Sequence, residues 1–208
     1  SVCFMNAIEE AAARLGISMR ELLPSTEILG YATTMAMNRL IERTGPRLGL
    51  ITTEGHEDAT LIGNGPQWQD GLRVSERRNV ANKFKPIPLI SRDLIVGVKE
   101  RIGPKGEVIR PLDEDDVRQK VRYLISKSIR GFIVSLLWSF RNPSHEKRIK
   151  EIIREEFKEY HVGYLPVALT HEVVGTFGEY KRTMTAILDV YLQRSLQIEL
   201  SATWDKLR

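Results

Sequence analysis

The sequence predicts an α/β protein, a mostly parallel sheet with flanking helices and an inserted β-hairpin. Three observations carry this. Short β-branched apolar runs alternate along the chain with longer segments whose apolar residues recur at helical spacing. The richest run, Gly131 to Leu137, is apolar without alternation and bounded on both sides, the pattern of an interior strand covered on both faces. Gly103-Pro104-Lys105-Gly106 lies between two strand-like runs and supplies a hairpin turn.

Ala7, Ile8, Ala11, Ala12 and Leu15 repeat at helical spacing, so a helix is expected from about Asn6 to Leu15, closed by Gly16. Ser18 with Glu21 three residues on forms a capping box for a one-turn helix that Pro24 stops. Thr26 to Ala32 reads as a short strand. Thr33 or Thr34 then caps a helix running to about Thr44, and Gly45-Pro46 ends it. Arg47 to Thr53 reads as a buried strand before a turn at Glu54-Gly55, completing a first α/β segment over residues 1–62.

Between Gly63 and Pro88 the periodicity vanishes. Gly65-Pro66, Asp70-Gly71, Asn79, Asn82, Pro86 and Pro88 mark an irregular connection, 63–88, that carries Trp68 as a residue for substrate, partner or local cover. The hairpin, 89–111, takes Ile90 to Arg101 and Glu107 to Arg110 as its arms. A second α/β segment, 112–208, opens with a helix from Asp113 to about Ser128, its acidic first turn suited to the helix dipole and Val117, Val121, Leu124 and Ile125 on one face. After the central strand, Asn142-Pro143 starts a helix with Ile149, Ile152, Ile153 and Phe157 inward. Tyr164 to Ala168 is a further strand. The last helix, about Glu179 to Lys206, has Leu188, Tyr191, Leu192, Leu196 and Leu200 as its apolar stripe.

With 208 residues, 42% of them hydrophobic, the chain has material for one large or two small domains. No run approaches the roughly 18 apolar residues of a membrane span, which argues against a membrane protein. The single cysteine, Cys3, cannot form an internal disulfide, and the first residues lack a secretory leader, so a cytoplasmic location is expected. The net charge is +4, but Arg141, Lys147, Arg148, Lys150 and Arg154 are interleaved with Glu146, Glu151, Glu155 and Glu156. That pattern is a solvated helix face and argues against nucleic acid. The four histidines, His56, His145, His161 and His171, lack zinc-site spacing, so no metal site is expected in this chain. Neither a phosphate loop ending in Lys-Ser or Lys-Thr nor a dinucleotide fingerprint is present.

Two segments carry candidate chemistry. In Ala32-Thr33-Thr34-Met35-Ala36-Met37-Asn38 two hydroxyls stand beside unpaired helix N–H groups, a geometry that chemistry alone assigns first to a simple cap and then to an anion, with Asn38 one turn further on. In Glu179-Tyr180-Lys181-Arg182-Thr183-Met184-Thr185 a carboxylate and a guanidinium share one face with Thr183. They suit a phosphate or a water, or form an ordinary surface Glu179–Arg182 pair.

Read with their neighbours, the same segments resemble the N-terminal part of the hydantoinase A/oxoprolinase family. Thr33 to Asn38 with Leu40, Glu42, Arg43 and Gly45 looks like the family's His-Gly-Thr-Thr-x-Ala-Thr-Asn segment and its helix, and Leu50 to Asp58 like the strand and turn after it. Agreement continues in Glu100-Arg101, Gly106-Glu107-Val108, Pro111-Leu112-Asp113, Ser139-Phe140-Arg141-Asn142-Pro143 with His145-Glu146, and Glu179 to Thr183 with Thr185, Leu188 and Tyr191-Leu192. Tyr31, Ala32 and Met37 depart from it, standing where the family has His, Gly and the second Thr, and Gly63 to Lys85 matches poorly.

The resemblance implies a lobe similar to the actin, sugar-kinase and heat-shock-ATPase superfamily, whose first hairpin holds a phosphate loop that this chain lacks. It implies a fragment, inactive alone, of an ATP- and Mg²⁺-using hydantoinase, 5-oxoprolinase or acetone/acetophenone carboxylase subunit, a hydrolase or ligase that activates an amide or ketone by phosphorylation. Glu179 and Arg182 become catalytic residues, and Thr33, Thr34, Asn38 and Thr183 nucleotide contacts at an interlobe cleft. The implied partners are the missing second lobe, a companion hydantoinase B/carboxylase-type subunit and a small amide or ketone, with no nucleotide bound tightly by the fragment. The other function class is a non-catalytic assembly module on the same scaffold.

Overall fold

A computed structural model of the chain describes residues 2–85, 87–157 and 165–207. It forms two compact units, Ser1–Gly45 with Leu192–Arg208, and Pro46–Tyr191.

The smaller unit contains α1 (Val2–Leu15), α2 (Met19–Ser25) and α3 (Met35–Glu42), with the end of the long last helix. Gly16 follows α1 at φ 70°, a left-handed turn that costs glycine least. The Ser18–Glu21 capping box forms, the Ser18 N–H donating to Glu21 at 2.8 Å. Thr26 to Ala32 is not a strand. None of the β-strands lies in this unit, and an extended segment without a neighbour cannot satisfy its backbone groups by a ladder. Ile28 stays exposed, whereas the Tyr31 ring packs edge-on to Phe4 at 4.8 Å and its hydroxyl donates to Glu199 at 3.1 Å.

In the larger unit the strands are β1 (Gly49–Thr53), β2 (Ile95–Val98), β3 (Arg101–Ile102), β4 (Val108–Arg110), β5 (Phe132–Ser135) and β6 (Val167–Leu169). β2, β1, β5 and β6 lie side by side in that order, all parallel. The expected hairpin is therefore smaller than the sequence suggests. Only β3 and β4 pair antiparallel, while Ile95 to Val98 joins the parallel sheet against Leu50 to Thr53. The expected strand at Tyr164 to Ala168 is found at Val167–Leu169, and Tyr164 lies outside the described residues.

The helices of this unit are α4 (Ala59–Ile62), α5 (Glu114–Ser126), α6 (Ser144–Glu156), α7 (Thr170–Val173) and the first part of α8 (Glu179–Leu207). The Asp113 carboxylate accepts from the Asp116 N–H at 3.0 Å and caps α5. Pro143 is the cap residue of α6 and not its first turn. Ile149, Ile152 and Ile153 point inward as expected, and on α8 the buried face is Arg182, Thr183, Ala186, Ile187, Val190 and Tyr191. Of the expected α8 stripe only Tyr191 is buried, and Leu200 is exposed.

Phe132, Ile133 and Val134 on β5 are fully buried, each contributing about 1.5–3 kcal/mol. Gly97 on β2 admits the turn after β1, since a Cβ there would lie 2.8 Å from the Glu54 Cα. On the outer surface Arg118, Arg122 and Arg148 tie α5 to α6 through Glu114, Glu155 and Glu156. No helix among the described residues is long and apolar enough to cross a membrane.

Candidate functional site

Chain order places the topological switch of this sheet between β1 and β5, because β1 leads outward to β2 and β5 leads the other way to β6. Ligands of parallel α/β sheets bind at the carboxyl ends of strands near such a switch. Here those ends carry a connected set of buried polar side chains. Thr53, the last residue of β1, donates its hydroxyl to Glu100 and accepts from the Leu137 N–H at 3.1 Å. Glu100 also holds His145 Nδ1 at 2.8 Å. All three side-chain groups are shielded from solvent, so this part of the crevice is filled.

One strand further, Glu146 is fully buried at the start of α6. Its carboxylate accepts from the Leu136 N–H at 3.0 Å, the Thr170 hydroxyl at 2.7 Å and the His171 N–H at 3.1 Å, and holds His171 Nδ1 at 2.6 Å. Burial alone would raise the Glu146 pKa, but these donors, with His171 first, outweigh it and hold the carboxyl below its ordinary value. The sequence pattern had put Glu146 on a solvated helix face. Its helical phase gives the correction: Glu146, Ile149 and Ile153 lie on one side of α6, the side that packs inward.

Arg182 is also fully buried, donating to Ser139 Oγ and to the Leu136 carbonyl, both at 2.9 Å. Its guanidinium stands 5.2 Å from the Phe140 ring centre, and its Nε is buried without a partner among the described residues. Desolvation lowers its pKa, opposed by Glu146 and Glu179. A guanidinium nevertheless stays protonated. The surface Glu179–Arg182 pair does not form, because Arg182 turns under the strand end. Thr183 donates to the Glu179 carbonyl at 2.7 Å, and its oxygen lies 2.6 Å from that of Ser135 on β5. Glu179 itself is half-buried in the first turn of α8.

Trp138 has φ 58°, a left-handed conformation that a bulky side chain avoids. It reverses the chain after β5 and brings Ser139 to Arg182. Trp138, Phe140 and Phe177 cluster with ring centres 5.7 to 6.4 Å apart, Phe177 remaining 70% exposed.

Thr33, Thr34 and Asn38 fall in the other unit, where with Met35, Arg39, Glu42 and Thr44 they line an open hollow of about 520 Å³. Thr34 occupies the cap position of α3 but makes no cap bond, and Thr33 Oγ1 instead accepts from the Met35 N–H at 3.2 Å. Among the described residues no three His, Cys, Asp or Glu side chains converge as a metal site would need.

Comparison with known proteins places this geometry in a family. The chain is 62% identical over all 208 residues to the acetophenone carboxylase gamma subunit of Aromatoleum aromaticum, covering 28% of that protein. It is 31% identical over 192 residues to the caprolactamase alpha subunit of Pseudomonas jessenii, 92% of this chain and 26% of that one. It thus spans about a quarter of the length of these relatives. The nucleotide-free structure of an acetone carboxylase, described under ATP-dependent acetone carboxylation, superposes with a TM-score of 0.89 at 31% identity, over 96% of this chain and 28% of that one. The model of the hydantoinase/oxoprolinase N-terminal region matches residues 2–157, so the chain belongs to that family.

Proposed function

We propose that this chain is part of a cytoplasmic ATP-dependent enzyme that activates a ketone carbonyl by phosphoryl transfer for carboxylation. It works with the rest of its own polypeptide and a companion subunit, and is inactive alone. The observation that carries this is 62% identity across the whole chain with an acetophenone carboxylase subunit. The caprolactamase relative supports the second reading, amide-ring hydrolysis by the same kind of activation.

The residues of the Thr33 hollow fit a nucleotide's phosphates in donor chemistry: two hydroxyls, the Asn38 amide and the Arg39 guanidinium. Glu42 is the carboxylate lining that hollow, so a Mg²⁺ ion would be held mainly by phosphate oxygens and water, as is usual for this metal. When bound, ATP supplies the phosphoryl group. Arg182 acts through its field, a fixed buried positive charge that favours negative charge developing on a carbonyl oxygen. Glu179 orders water or substrate beside it, and Thr183 fixes the first turn of α8 against β5.

The test is ATP hydrolysis by the complete polypeptide with its companion subunit, supplied in turn with acetophenone or acetone plus bicarbonate, hydantoin, 5-oxoproline and caprolactam. Ketone- and bicarbonate-stimulated hydrolysis supports carboxylation, and stimulation by a cyclic amide supports the second reading. Silence from the folded complex with every substrate overturns both and leaves an assembly module.

A further inference from the structure

We propose that His171, positioned by Glu146, is the base that removes a proton from the carbon next to the substrate carbonyl. This rests on the ketone reading above. His171 lies on α7 directly after β6, at the carboxyl edge of the sheet. Glu146 grips it twice through one oxygen, at the backbone N–H (3.1 Å) and at Nδ1 (2.6 Å), which fixes the ring. An ionised carboxylate only accepts, so Nδ1 carries a proton, and in the neutral ring Nε2 keeps its lone pair. That Nε2 has no hydrogen bond among the described residues and is not sealed from solvent.

Glu146 from α6 faces the ring, and the carboxylate of the next residue, Glu172, pairs with Lys150 at 2.8 Å. The main chain of Leu136 then links Glu146 to Arg182. Arg182 leads to Phe140 and the exposed Phe177, an apolar platform for a planar ketone. His145, the other carboxylate-bound histidine, is buried in the filled crevice, tied through Glu100 and Thr53 to the Leu137 N–H.

In the step, Nε2 forms a bond to the α-proton. The C–H electron pair becomes the carbon–carbon π bond, and the carbonyl π pair moves to oxygen. The products are an enolate and an imidazolium, which returns its proton to water. Glu146 is a positioning residue here, holding the tautomer and ring orientation.

The experiment uses the complete enzyme with acetophenone in D₂O, with and without nucleotide, following methyl deuteration by proton NMR. His171→Asn keeps a donor for Glu146 and removes the base, so exchange should fall about a hundredfold or more. Independently, the His171 ring in ¹³C-histidine-labelled polypeptide, assigned by its loss in His171→Asn, should carry its proton on Nδ1 in the neutral form. Exchange in His171→Asn as fast as in the native enzyme overturns the proposal, as does a neutral ring that carries its proton on Nε2. Native enzyme that exchanges the methyl protons but never carboxylates removes the carboxylase reading and leaves the role of His171 standing.

Discussion

The main chain of Leu136 is held on both sides: its carbonyl accepts from Arg182 at 2.9 Å, and its N–H, in the preceding peptide, donates to Glu146 at 3.0 Å. Two buried opposite charges thus meet the main chain of one residue just past β5, each offsetting the desolvation of the other. Arg182→Met should cost about 3 kcal/mol of stability, because it leaves the Glu146 carboxylate buried without its nearby cation. Arg182→Lys should fall between, since an ammonium cannot serve Ser139 and Leu136 in the fixed geometry of a fork. Urea unfolding of the three proteins checks the order, and an Arg182→Met protein as stable as the native one would rule out the clamp.

Glu146 sets an acid limit on stability. Its folded pKa lies below the ordinary 4.5, so its contribution is complete above that value and is lost as pH falls through the lower, folded one. The unfolding midpoint should therefore decline below about pH 4.5, where the unfolded state begins to bind the proton that the folded carboxylate resists. Glu146→Gln should be less stable at pH 7 and flatter between pH 5 and 3. Parallel curves for the two proteins would assign the acid loss to other carboxylates.

The elements that the sequence made legible are those whose information is local. The Asp113 cap is written three residues from the N–H it accepts, and the β5 run announces burial by its own composition. The partner of Ile95 to Val98 is not written there. An apolar run of that length suits a hairpin arm as well as a parallel strand, and the choice was made by Leu50 to Thr53, over 40 residues away. The candidate site divides in the same manner. Thr183 and Arg182 stand out in one turn of helix, but the bonds from Glu146 to Thr170 and His171 span 24 and 25 residues, and a list of scattered histidines hides them.

Trp138 stores strain that a substitution series can read. At φ 58° any residue with a Cβ is penalised by about 1–2 kcal/mol and glycine is not. Trp138→Ala and Trp138→Gly both lose the ring contacts to Phe140 and Phe177. Trp138→Gly should nevertheless be the more stable of the two by about 1 kcal/mol, the reverse of the usual order in regular structure. Thermal unfolding of the pair decides it. If alanine equals or exceeds glycine, the left-handed turn that delivers Ser139 to Arg182 is not the conformation in solution.

Thr33 and Thr34 separate a helix cap from a ligand contact, because the structure gives the cap bond to Thr33 alone. Thr33→Ala should lower stability by about 1 kcal/mol through loss of the bond from the Met35 N–H. Thr34→Ala removes an exposed hydroxyl without a cap bond and should change stability by less than about 0.5 kcal/mol. If the hollow takes the phosphates of ATP, the same Thr34→Ala protein should bind nucleotide about tenfold more weakly, the effect of one lost hydrogen bond to a charged group. Stability and nucleotide affinity measured on the two variants of the complete polypeptide give four numbers. A Thr34→Ala protein unchanged in both removes Thr34 from the site, whereas one changed only in affinity keeps the hydroxyl there as a ligand contact with no part in holding α3 together.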